Sequence, residues 1–437
     1  MRLSKRLFLR STLAAILAVS SACACADTGV VNGANTAWVL TATALVLFMT
    51  LPGLALFYAG LVRSKNVLSV MMQCFAIACV SSVLWFVVGY SAAFSGVGAW
   101  LGNFDKILLA GVGANSVVGN LPEPVFLMFQ MTFAIITPAL VIGGFAERIR
   151  FSAVLWFSAL WLLLVYVPVT HWVWGGGWLG QLGLLDFAGG TVVHITAGAA
   201  ALVGAIMVGP RRGFSETAMP PHNMTMTVTG AGMLWVGWYG FNAGSALAAD
   251  GNAGMAMLVT HLSACAGAFT WLCIEWYTFG KPSALGVVTG LVAGLGTITP
   301  ASGYVGPAGA LVIGVSAGFI CFFATLGLKR KLKIDDSLDV FPVHGVGGIL
   351  GTFMAGIFAS PHLGVFSGRG FGAGIDSIAG QLKIQLLGIG SIFLYTVFIS
   401  FVLYKLIDMV IGLRVSADEE TEGLDIVQHN EVGYDLR

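Results

Sequence analysis

The sequence predicts an all-α membrane protein of eleven transmembrane helices, arranged as a five-plus-five inverted repeat with an eleventh helix added. Three observations lead there: a composition that water could not solvate, eleven apolar runs of membrane-crossing length, and two matched Asp–His segments that enter the membrane from opposite sides.

Of 437 residues, 57% are hydrophobic and 9% charged, whereas about a quarter of an ordinary soluble domain is charged. Fifty-nine residues are glycine, and small residues are what let helices approach closely in lipid, where no hydrophobic force drives them together. The formal net charge is +1, so the chain lacks the positive excess that nucleic-acid binding requires. DNA and RNA are excluded as partners on that ground.

The apolar runs cover residues 37–61, 67–94, 125–145, 153–171, 191–208, 224–247, 254–277, 283–299, 306–327, 341–358 and 378–409. Each matches a hydrocarbon layer of about 30 Å. Ahead of them, Arg2, Lys5, Arg6 and Arg10 precede a short apolar core at residues 13–19 and a small-residue site, Ala24-Cys25-Ala26. That is the pattern of a cleaved secretory leader over residues 1–26, its apolar run being too short to span a bilayer; an uncleaved first anchor is the alternative. The helix bundle then occupies residues 35–412, and residues 413–437 form a tail.

Basic residues collect in alternate loops: Arg63 and Lys65, Arg148 and Arg150, Arg211 and Arg212, Lys281, then Lys329, Arg330, Lys331 and Lys333. The opposite loops offer little beyond Lys106 and Arg369. The positive-inside rule places the basic set in the cytoplasm. The chain is therefore expected to be multi-pass in a cell membrane, with its mature N-terminus outside and its C-terminus inside. The tail is acidic, with Asp418, Glu419, Glu420, Glu422, Asp425, Glu431 and Asp435, and reads as solvated or as a docking place for a soluble regulator. Beyond the leader, Cys74, Cys79, Cys265, Cys273 and Cys321 stand singly in apolar runs and suggest packing residues, not a disulfide or metal framework.

Asp186 precedes His194 by eight residues, Asp336 precedes His344 by eight, and Gly198 and Gly348 follow the two histidines at equal distance. The match relates spans five and ten and predicts the inverted repeat. Eight helical residues would lower each histidine about 12 Å beneath its aspartate, so His194 and His344 are expected to meet near the midplane. A lone intramembrane histidine is often a satisfied core residue, but a symmetric pair is by default functional. No third ligand stands at matching depth, so a metal is not expected there, nor any other cofactor. Two neutral imidazoles offer a small polar solute both donor and acceptor edges. Asp186, at the start of span five, either caps the helix or stabilises a cation above it. Trp172, Trp174 and Trp178 after span four, with Trp238, Tyr239 and Phe241 in span six, are either an interfacial belt or a cation-holding cup.

Four motifs in order carry a resemblance: Ala146-Glu147-Arg148-Ile149-Arg150-Phe151-Ser152-Ala153, Asp186 to Gly190 leading to His194, Gly240-Phe241-Asn242-Ala243-Gly244-Ser245, and Phe341-Pro342-Val343-His344-Gly345. From about Asn35 to the tail the chain resembles the ammonium transporter family (Amt/Mep/Rh), in its bacterial Amt branch. The resemblance implies a homotrimer with one pore per subunit that takes ammonium, or methylammonium as analogue, and passes ammonia. It implies recruitment of the cation at Trp174, Phe129 and Ser245 with Asp186 beneath. It also implies a phenyl gate of Phe129 and Phe241, an outer recess and pore lining that include Phe133 and Trp238, and His194 and His344 as the twin histidines. The tail segments Gly412-Leu413-Arg414-Val415 and Glu422-Gly423-Leu424-Asp425 are similar to the family tail, which implies a PII-type protein as cytoplasmic partner. The alternative is an ammonium sensor that signals through this tail. No His-Glu-x-x-His or Gly-x-Ser-x-Gly motif suggests an enzyme.

Overall fold

The computed structural model describes residues 30–435, so the expected leader at 1–26 lies outside the described residues. Eleven helices form one bundle: α1 (Gly33–Leu61), α2 (Ser64–Phe94), α3 (Glu123–Gly144), α4 (Phe151–Gln181), α5 (Gly190–Val208), α6 (Met224–Gly244), α7 (Gly251–Phe279), α8 (Ala284–Ile298), α9 (Pro307–Lys331), α10 (Phe341–Phe358) and α11 (Ile378–Ile411). Among the described residues nine are long and apolar enough to cross a membrane. The other two fall short for plain reasons: Thr, Gly and Asn dilute the apolar character of α6, and α8 has only 15 residues. Their sequence assignments end within a few residues of the observed bounds, because side-chain caps outside the apolar runs set the starts. Asn32, Asn223, Asp250, Ser283 and Ser377 each accept a backbone N–H from the first turn of the helix that follows.

Glycine sets the helix spacing. On α7, α8 and α9, a Cβ at Gly294 or Gly314 would stand 2.3 or 2.4 Å from the Ser263 carbonyl oxygen, so these helices meet backbone to backbone. The crossing of α5 and α10 repeats this with two-fold symmetry. A Cβ at Gly198 would meet the backbone of Gly345 at 2.3 Å, and one at Gly348 would meet His194 Cβ at 2.9 Å and the Ile195 nitrogen at 3.1 Å. Residue 345 is the repeat equivalent of residue 195, so each helix presses its glycine on the same place in the other. Both helices also begin with a widened π turn, Gly190–Ile195 and Phe341–Val346, each carrying its histidine. Such turns are rare and gather at functional sites.

Two expectations need correction. The descent from aspartate to histidine is not eight helical residues: Gly189 adopts φ 118° and turns the chain, so α5 starts only at Gly190. His194 therefore lies about 6 Å below the helix start, with Asp186 folded back over the first turn. The tail is also not merely solvated. It forms α12 (Ala417–Glu422), opened by a Ser416/Glu419 capping box, and α13 (Leu424–His429), with Glu420, Leu424 and Asp425 buried against the basic loops.

Candidate functional site

His194 and His344 are both buried, and their rings lie 5.2 Å apart at 17° with Nδ1 to Nδ1 at 3.1 Å. With both rings neutral, one Nδ1 donates and the other accepts, so the two imidazoles hold opposite tautomers and share one bond. His194 Nε2 is buried without a hydrogen-bond partner. A third helix flanks the pair. A Cβ at Gly296 of α8 would be 3.8 Å from His344 Nδ1 and 3.9 Å from His194 Cε1, so this glycine leaves the space beside the rings free. Nothing in the sequence singles Gly296 out from the other glycines of span eight; only the crossing of α5, α8 and α10 does.

An aromatic column leads to the pair. Trp174, at the break in α4 that follows Val173, sits edge-on to Phe133 with ring centroids 5.8 Å apart. Phe133 of α3 packs on Phe241 of α6 at 4.3 Å. Phe241 lies 6.1 Å from the His194 ring, and Trp238 stacks on the same imidazole at 5.6 Å and 20°. Helical spacing explains the row: residues 129 and 133 are four apart on α3, while 238, 241 and 245 are three and seven apart on α6, so each set shares a face. The Trp238 indole donates to Thr299 Oγ1 at 2.8 Å, which fixes the plane that His194 stacks on. Ser245 sits at the end of α6, its hydroxyl donating to the Phe241 carbonyl at 2.8 Å.

The expected pairing of Phe129 with Phe241 is corrected here. The ring packed on Phe241 belongs to Phe133; Phe129 stands 5.1 Å from Phe133 and against Gly244. Both residues lie on one face of α3, a turn apart, so the sequence alone could not tell which of them α6 would touch.

Asp186 is 4% exposed and its carboxylate is saturated by the helix it starts. Oδ1 accepts from the Gly189 and Gly190 amides at 2.9 and 2.6 Å, Oδ2 from those of Thr191 and Val192 at 2.8 and 3.2 Å, and the Thr191 hydroxyl donates to Oδ2 as well. Its carbonyl accepts the Trp174 indole at 2.9 Å. One residue thus ties the outer tryptophan to the helix that carries His194. Asp336 takes the related place before α10, accepting the Phe341 amide at 2.7 Å, with Oδ1 left without a partner. Burial and the nearby Asp339 carboxylate push Asp336 up to about 7.

On the far side of the pair a cavity of about 410 Å³ runs from His344 past Tyr58 and Phe57 to Arg211, Lys329 and Asp339. Arg211 in its lining belongs to a charge network: Glu147 accepts from Arg63 and from Arg211, and Arg211 also reaches Asp335. Burial would push the Glu147 and Asp335 carboxyls up, but the guanidinium of Arg211, joined at Glu147 by that of Arg63, holds both below the ordinary range. This cavity was missed at the level of sequence, since its lining comes from six separate segments. Among the described residues no group of three His, Cys, Asp or Glu side chains stands close enough to hold a metal.

The bundle and its column define a polytopic helical membrane protein with a narrow core of aromatic and imidazole rings. The model of the Ammonium Transporter Family matches residues 37–434, and the chain belongs to that family. It is 44% identical over 393 residues to the ammonium transporter of Bacillus subtilis, covering 90% of this chain and 96% of that protein. It is likewise 44% identical over 402 residues to the ammonium transporter Amt1 of Archaeoglobus fulgidus, covering 92% and 99%. Among solved structures it resembles a protein described as a sensor Amt protein, with TM-score 0.84, 31% identity and coverage of 91% and 98%. Mep2 of Saccharomyces cerevisiae follows with TM-score 0.82, 36% identity and coverage of 94% and 95%.

Proposed function

We propose that this protein carries ammonium across its membrane by binding the cation, removing its proton and conducting ammonia past the histidine pair. Trp174, Phe129 and Ser245 recruit the cation, with Asp186 as a positioning residue that holds Trp174 and the start of α5. Phe133 and Phe241 form the gate, in place of the Phe129–Phe241 pair implied by resemblance alone. His194 and His344 then offer hydrogen bonds to the neutral solute, Trp238 lines the passage beside them, and the cavity below His344 returns it to water. The observation that carries this reading is the 3.1 Å imidazole pair, reached through packed rings on one side and open on the other to a cavity that ends at Arg211, Lys329 and Asp339.

Desolvation explains the selectivity. An ion loses many kcal/mol on leaving water for an apolar passage unless charges replace its hydration, and two packed phenyl rings supply none. Ammonium escapes that cost by giving up a proton, whereas potassium cannot. The proton passes either to water on the recruitment side or separately along the imidazoles, and the released ammonia regains one from water beyond His344.

The test is current and labelled methylammonium uptake recorded together from purified protein in vesicles. Uptake without current means that the proton stays behind; uptake with matched current means that it crosses separately along the imidazoles. The double variant His194→Ala with His344→Ala is expected to lose most methylammonium uptake while keeping its assembly, and full uptake by that folded variant overturns the role given to the pair. The similarity to a protein described as a sensor supports one second reading, in which ammonium binding is reported through the docked tail. Binding without flux in the same vesicles selects it. In keeping with the family resemblance, the protomer works as a homotrimer in a bacterial inner membrane, its N-terminus outside after loss of the leader, its tail in the cytoplasm where a PII-type protein docks. Crosslinking and protease protection in oriented vesicles test these placements.

A further inference from the structure

Between α5 and α11, away from the histidine column, lies an almost wholly apolar groove of about 460 Å³. Val203, Ile206 and Met207 form one wall, and Leu394, Phe398 and Phe401 the other. Ile206 is 56% and Phe398 64% exposed, so the groove opens outward, on the most exposed of the nine long apolar spans among the described residues. Residues 394, 398, 401 and 405 recur at helical spacing, which puts Lys405 on the same face of α11, one turn beyond Phe401. Lys405 is exposed and has no carboxylate within ion-pair distance among the described residues. From Leu394 to Lys405 the helix rises about 16 Å, close to the ~15 Å that one leaflet contributes to a hydrocarbon layer of about 30 Å.

We infer that this groove is a binding site for one anionic phospholipid of the leaflet on the basic-loop side, an acyl chain lying against Phe398 and Phe401 and the phosphate meeting the Lys405 ammonium. Depth, polarity and charge agree on that occupant. The span from Leu394 to Lys405 matches one leaflet, the groove covers about 10 Å of it with apolar side chains from Leu394 to Phe401, and the Lys405 cation stands one turn beyond, where the headgroup begins. A long Lys stem reaches the interface by lying along apolar surface, and a cation there attracts anionic lipid.

Native mass spectrometry of the full chain in non-ionic detergent tests this, with dioleoyl phosphatidylglycerol and dioleoyl phosphatidylcholine as probes. Wild type is expected to prefer the glycerol lipid about fivefold, the effect one Lys near an anionic surface supports. Lys405→Gln is expected to abolish that preference and leave the choline lipid's binding unchanged. Ile206→Trp, which fills the groove from an exposed position, is expected to weaken both lipids about tenfold, and inorganic phosphate is not expected to displace either. Equal binding of both lipids by wild type, or unaltered binding by both variants, reduces the groove to ordinary lipid contact and overturns the site. A change of oligomer mass in Ile206→Trp overturns it too, by showing that a second copy covers the groove.

Discussion

At the scale of single residues, the site depends on what each position leaves empty as much as on what it supplies. Gly296 is the clearest case. A methyl group there makes ordinary contact with both imidazoles, while a larger side chain occupies the space beside them. Gly296→Leu is therefore expected to cut methylammonium uptake at least tenfold, with Gly296→Ala much milder; equal uptake by Gly296→Leu and wild type would falsify a passage beside α8. Phe133 and Phe129 separate by function in the same assay. Phe133→Ala removes a ring packed 4.3 Å from Phe241 and is expected to admit potassium or to alter the current per methylammonium carried. Phe129→Ala is expected to raise KM with selectivity kept. Asp186→Ala strips acceptors from four backbone amides, and a lost helix cap costs about 0.5–2 kcal/mol. A lower Tm of the detergent-purified protein, together with a higher KM in vesicles, checks that residue's positioning role. Of these residues, the histidines and Asp186 were legible from matched spacing, whereas Gly296 and the order of the two phenyl rings were not. Spacing along one helix tells which residues share a face, never which of them another helix will touch.

At the scale of elements, the crossing of α5 and α10 and the docked tail matter most. Gly198 and Gly348 let the two histidine-bearing helices meet at backbone distance, so Gly198→Val is expected to push the rings apart, and the protein to lose thermal stability and uptake together. The tail holds through Asp425, which accepts the Leu68 and Ser69 amides at 3.1 and 2.7 Å, and through Asn66, which accepts from Leu424 at 2.8 Å. Asp425 thereby caps the start of α2. Asp425→Ala is expected to free the tail while the bundle stays folded. Limited proteolysis near residue 423 checks this, with cleavage at least severalfold faster than in wild type. An acidic run read from sequence suggested a tail that is solvated or a docking place for a regulator; its packing on the bundle was not legible, because the basic loops that hold Glu420 and Asp425 come from segments more than two hundred residues away.

At the scale of the whole molecule, the charge network beside the cavity ties the loops after α1, α3 and α5 and the loop before α10 into one plate. Glu147 and Asp335 sit below their ordinary carboxylate range in the folded protein. A depressed carboxyl stabilises the fold at pH above its unfolded value, about 4, and that stabilisation is lost as pH falls through the folded value. Through these two carboxyls Tm is therefore expected to fall below about pH 4, whereas Asp336, raised to about 7, makes Tm decline as pH rises from about 4 towards 7. Glu147→Gln is expected to lower Tm at pH 7 and to flatten the acid limb. The eleven-helix architecture itself was legible, because lipid permits few solutions: a run of apolar residues about 30 Å long has to be a helix, whichever neighbours it finds. Helix ends were less so, since caps such as Asp250 and Ser377 lie outside the apolar pattern.

The sequence by itself determined that the chain crosses a membrane eleven times, that its halves repeat, and that two histidines occupy equivalent places in them. Those features follow from composition and periodicity, which act locally and need no partner. Only the tertiary structure decided that the rings meet at Nδ1, that Phe133 rather than Phe129 packs on Phe241, and that a cavity opens below His344. Each of these is a relation between side chains on helices distant in sequence, and the packing of glycine faces, which sets helix rotation and depth, is what brings them together.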